Sequence, residues 1–139
     1  MPDPSVPIRA TLAWISPGGA PPGPAFTAAL RRAGLTIARS DAVEGVDVAI
    51  VDFRTRTVSA ETTRRLAGVA RRRSPAGCLV YLAAPALDAA RRGHLRRSGP
   101  VVYTLDDPNA LIDACREELR ARALAEEAAE RIKSLAAAF

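Results

Sequence analysis

Four short stretches of this chain are apolar in unbroken runs of several residues rather than alternately: RATLAWI from Arg9, VDVAIVDF from Val46, CLVYLAA from Cys78 and GPVVYTL from Gly99. A strand with one wet face alternates apolar and polar residues. One that is apolar on both faces must be covered on both. Such strands separated by helical segments imply a parallel sheet with helices on each side. This excludes most all-β and all-α arrangements.

The punctuation between the runs supports this order. SPGGAPPGP breaks the chain after Ile15, and a helix is expected from Ala25 to Ala33, with Gly34 as its C-cap. LTIAR is a short strand, and a turn from Asp41 to Val46 leads to the third strand. Ser59 caps a helix to about Arg73, with Glu61 in its first turn. SPAG ends it. Pro85 is expected to open another helix, interrupted at Gly93. Asp107 and Pro108 give the start signal for a long last helix from about Asn109. Five strands in this order fit a flavodoxin-like α/β sheet, order 2-1-3-4-5, with an extended C-terminal helix. The expected division is a disordered lead-in over 1–7, one globular domain over 8–119 and a signalling helix over 120–139.

The 139 residues suffice for one core. Aromatics are only 4%, so that core is built from Val, Leu, Ile and Ala. No apolar run nears the roughly 20 residues that span a bilayer, and MPDPSVPIRA lacks the pattern of a secretory signal. The expectation is a cytoplasmic protein with no membrane partner. Cys78 and Cys115 have no metal-ligand spacing and read as small core residues. The net charge is +5, and Lys133 is the single lysine among 20 basic residues. The arginines recur in pairs and triplets along expected helices, where solvated faces are the simplest account. No nucleic-acid motif accompanies them, so a nucleic-acid partner is not expected.

Asp52 closes the third apolar run, at the strand end where open α/β sheets place their sites. A carboxylate there is costly to bury and needs a reason. With VAIVDFR at this place, the chain resembles a response-regulator receiver domain from about Ile8 to Leu119. By that resemblance Asp52 stands at the phosphoacceptor position. The family's other site residues are missing. Its acidic pair for Mg²⁺ falls at WISPGG, around Ser16. Its hydroxyl residue at the end of the fourth strand falls at Ala83, and its lysine falls at Thr104, beside Asp106 and Asp107. A hard divalent cation needs several oxygen ligands, so no Mg²⁺, metal or other cofactor is expected. Phosphoryl transfer needs charge neutralisation that these residues do not supply. The resemblance therefore implies a degenerate, bacterial two-component receiver without catalytic residues. Asp52 is expected to accept hydrogen bonds from backbone amides around Ser16 to Gly19. Arg54 and Arg56 are the nearby cations that could contact an anion. Tyr103 stands near the aromatic that rotates in the family.

The last helix carries two stripes. Leu111, Ile112, Cys115 and Leu119 form one face for the sheet. Beyond them Ala121, Ala125, Ala128, Ile132, Leu135 and Phe139 step by fours and threes, as in a coiled-coil seam. The expected function is a pseudo-receiver that is not an enzyme. It would form a homodimer through this helix and relay a signal to a signalling protein or a fused output domain, such as a kinase or nucleotide cyclase. The alternatives are a module for a cyclic dinucleotide or other small ligand, and an atypical receiver phosphorylated on Asp52.

Overall fold

A computed structural model describes residues 9–39, 45–54, 59–74 and 78–138. The lead-in over 1–7, Arg56 and Phe139 lie outside these residues. So do residues 41–44 of the turn expected from Asp41 to Val46.

The elements follow the order β1 (Ala10–Ile15), α1 (Pro24–Arg32), β2 (Leu35–Ile37), β3 (Val48–Phe53), α2 (Ala60–Arg73), β4 (Leu79–Ala83), α3 (Ala89–Ser98), β5 (Val101–Tyr103) and α4 (Pro108–Ala138). All neighbouring strands are parallel, in the order β2-β1-β3-β4-β5. This is the flavodoxin-like architecture expected from the uninterrupted apolar runs. β3 and β4 are buried at every position.

The pleat divides the core in two. Leu12, Val48, Ile50, Val80, Leu82 and Val102 pack under α1 and α4. Ala13, Ala49, Val51, Phe53, Tyr81 and Ala83 pack under α2 and α3. The Phe53 and Tyr81 rings stack with centroids 6.0 Å apart. Cys78 and Cys115 are both buried and free, as expected. Burial pushes the Cys115 thiol up to about 12 and raises that of Cys78.

The helix ends follow their local chemistry. Gly34 has φ 85°, the left-handed conformation that lets the chain leave α1 and enter β2. Ser59 Oγ accepts the Thr62 amide at 3.1 Å. Asp107 Oδ1 accepts the Asn109 amide at 3.0 Å at the start of α4. One expectation fails at α3. The helix starts at Ala89, not Pro85, because Asp88 caps it by accepting the Arg91 amide at 2.9 Å. Pro85 and Ala86 form a turn instead, and α3 runs through Gly93 without a break.

The globular contacts of α4 extend past Leu119. Arg122 Nη2 lies 3.5 Å from Asp47 Oδ1, and its Nη1 donates to the Asp47 carbonyl at 3.4 Å. Asp47 Oδ2 also accepts the Thr11 amide at 2.8 Å. Arg122 thus ties α4 to the entry of β3. Every described residue after it is exposed.

Candidate functional site at the end of β3

β3 lies between β1 and β4, so its exit sits at the point where the strand order reverses. Asp52 is there, with only 7% of its surface exposed. Its carboxylate accepts three bonds from a single residue. Oδ1 accepts the Arg54 backbone amide and Arg54 Nε, each at 3.0 Å, and Oδ2 accepts Arg54 Nη2 at 2.9 Å. The two side-chain bonds are a fork-on-fork ion pair, the strongest geometry for this chemistry. The expected amides of Ser16 to Gly19 are not the partners: the Gly19 amide donates to the Ser16 carbonyl, and Ser16 Oγ donates to the Ala20 carbonyl.

Arg54 is held on every side. Nη1 donates to the Leu105 carbonyl at 2.9 Å, and Nη2 also donates to the Pro22 carbonyl at 3.2 Å. The guanidinium lies over the Phe26 ring, 4.3 Å from its centroid, and 5.8 Å from that of Trp14. It thereby joins the exit of β3 to the loop before α1 and the loop before α4. The anion it contacts is the chain's own carboxylate. Its side chain is 12% exposed, so little of its charge faces solvent.

The other resemblance positions follow. Ala83 is fully buried and pairs with Phe53 and Tyr103 across the sheet. It brings no hydroxyl to Asp52. The Thr104 amide donates to the Ala83 carbonyl at 3.0 Å, and Thr104 Oγ1 accepts the Asp107 amide at 3.0 Å, shaping the loop into α4. Tyr103 is half-buried on the edge strand β5 under two guanidiniums, Arg92 at 4.5 Å and Arg96 at 5.9 Å from its ring centroid. Arg92 also donates to the Leu87 and Pro85 carbonyls, so it pins the loop between β4 and α3.

These donors do not fit a Mg²⁺ ion. Both oxygens of the one carboxylate at the site are taken by a fixed cation, and no group of three His, Cys, Asp or Glu side chains stands together among the described residues. A phosphoryl group on Asp52 would have to displace Arg54 from the same oxygens.

Sequence reasoning placed Asp52 at the site but missed its partner. The signal was present: residues two apart on an extended chain point the same way, so Arg54 was the nearest candidate cation. Arg122 and Leu124 were missed as well. Leu124 is 65% exposed beside the expected seam. The seam residues Ala121, Ala125, Ala128, Ile132 and Leu135 are all exposed. Counted at 100° per residue, they centre roughly 130° around the helix from the face that packs on the sheet. No described helix is long and apolar enough to cross a membrane. Compared with known proteins, the chain matches no family model and no curated relative.

Proposed function

We propose that this chain is a pseudo-receiver, a cytoplasmic signalling module that carries out no phosphoryl chemistry. It would act by dimerising through the end of α4 and passing a contact to a partner protein or output domain. The observation that carries the first half is the Asp52–Arg54 pair. A built-in guanidinium takes the place that a metal ion and a phosphoryl group would need. It neutralises the carboxylate without any input from solution.

The second half is supported by the reach of α4. A segment of about 24 Å projects past Arg122. It has Leu124, Ile132 and Leu135 exposed and balanced flanking charges, with Glu127 paired to Arg131 at 3.0 Å. A single exposed helix of this length is marginal in water without a partner. Its apolar stripe faces away from the domain body, so a second copy can approach without the two bodies colliding.

Two measurements on the full chain test the reading. Incubation with a small phosphodonor and Mg²⁺ should leave the intact mass unchanged; a gain of one phosphate that Asp52→Asn abolishes would overturn it. Light scattering should give a dimer for the full chain and a monomer for a chain ending at Arg122. If both are monomers, the homodimer is wrong.

A further inference from the structure

The two helical layers differ in charge, and the difference is large. α2 carries Arg64, Arg65, Arg71, Arg72 and Arg73, and α3 carries Arg91, Arg92, Arg96 and Arg97. Against these nine arginines the two helices and their caps hold only Glu61 and Asp88. Both helices cover the same side of the sheet and pack against each other. This layer therefore holds more positive charge than the whole chain's net +5. By contrast, α4 on the opposite side mixes six acids with five bases.

Seven of the nine arginines are exposed, Arg73 and Arg92 being half-buried. Among the described residues, the one ion pair they make is Arg91 with Asp88, at 3.6 Å. A solvated face usually interleaves both signs, as α4 does. Arg92 is also fixed, by its bonds to the Leu87 and Pro85 carbonyls. Arg92 and Arg96 rest on Tyr103, while Arg72 and Arg97 lie back along their helices over Gly68 and Gly93.

We propose that the α2–α3 layer is a docking surface for the phosphodiester backbone of a nucleic acid, held by charge and without base readout. Arginine suits this, since its fork binds phosphate bidentately. The composition of the face separates this partner from an acidic protein. A protein interface needs an apolar core, and among the described residues the large exposed apolar ones, Leu105, Leu124, Ile132 and Leu135, are all off this layer. Apart from small exposed residues such as Ala89 and Ala90 and the half-buried Val69, what α2 and α3 present is charge. The length of α2, about 21 Å, spans roughly six base pairs at 3.4 Å each. The absence of a nucleic-acid motif in the sequence argues only against base recognition. It says nothing about which helices share a layer.

The test is fluorescence anisotropy of the full chain with a labelled, mixed-sequence DNA duplex of about 20 base pairs. Binding should be present at about 50 mM salt and weaken roughly a hundredfold by about 200 mM, the response of about four phosphate contacts. A duplex of shuffled sequence and an RNA of equal length should bind within a few-fold. The variant Arg64→Glu/Arg65→Glu/Arg96→Glu/Arg97→Glu alters only exposed side chains, and its fold is checked by circular dichroism. It should lose binding, whereas Arg31→Glu/Arg32→Glu on the opposite layer should keep it. No binding at low salt would overturn the proposal. So would equal loss in both variants, a more than tenfold preference for one sequence, or capture of a poly-glutamate peptide or anionic vesicle in place of the duplex.

Discussion

At the scale of single residues, the burial of Asp52 rests on Arg54, while Arg54 has further acceptors of its own. Breaking a buried pair from one side leaves an uncompensated charge, an effect of about 3–5 kcal/mol. Arg54→Ala should therefore lower stability by about that much in urea unfolding. Asp52→Asn should lose less, since Arg54 keeps its Pro22 and Leu105 carbonyls. The order of the two losses checks the assignment. The cysteines give a second expectation. With Cys115 fully buried and its thiol raised to about 12, and Cys78 nearly as enclosed, neither should react with a thiol reagent in the native state. Both should react once the chain is unfolded. The need for a partner to Asp52 was legible in the sequence, because a carboxylate in an apolar run demands one. Which partner was not, because the Ser16 to Gly19 loop and Arg54 compete for the same oxygens and only geometry decides.

At the scale of elements, α4 is two structures in one helix. Its first half packs Leu111, Ile112, Cys115 and Leu119 on the sheet; its second half packs on nothing described. Ile132→Glu with Leu135→Glu should leave the melting temperature of the domain body unchanged and convert a dimer to a monomer in light scattering. Glu118 lies at the margin of the packed half. Burial, and then the neighbouring Glu117, raise its carboxyl above the usual range. Ionising it therefore opposes folding: the effect is absent below the ordinary carboxylate pKa and grows as pH rises through the raised value. Glu118→Gln should raise the melting temperature at pH 7 and change nothing near about pH 3. Helix ends with side-chain or glycine caps, at Gly34, Ser59 and Asp107, were legible. The start of α3 was not. Proline favours a first helical turn but equally a β-turn, and Asp88 further along made the better cap.

At the scale of the whole molecule, the strand order followed from runs that are apolar on both faces, joined by segments of helical length. Those features leave few parallel topologies open. The distribution of charge did not follow. Arginine clusters are visible in the sequence, but their convergence on one layer depends on which face of the sheet each helix covers. The same holds for the limit of the globular body, placed at Leu119 by periodicity and at Arg122 by its bonds to Asp47. Arg122→Ala should lower stability by about 1 kcal/mol or less, as a half-exposed pair does, with denaturant unfolding as the check.

Arg54 and Arg122 together have a mechanical consequence. α4 is fastened to β3 at two places: near its start, through Leu105, Arg54 and Asp52, and near its middle, through Arg122 and Asp47. The strand between Asp47 and Asp52 is about 17 Å of extended chain that cannot stretch. A helix pinned to a rigid bar at both ends cannot slide along it without breaking one of the pins. Force applied to the free end of α4 therefore meets the weaker of the two contacts first, Arg122 with Asp47, before it reaches Arg54.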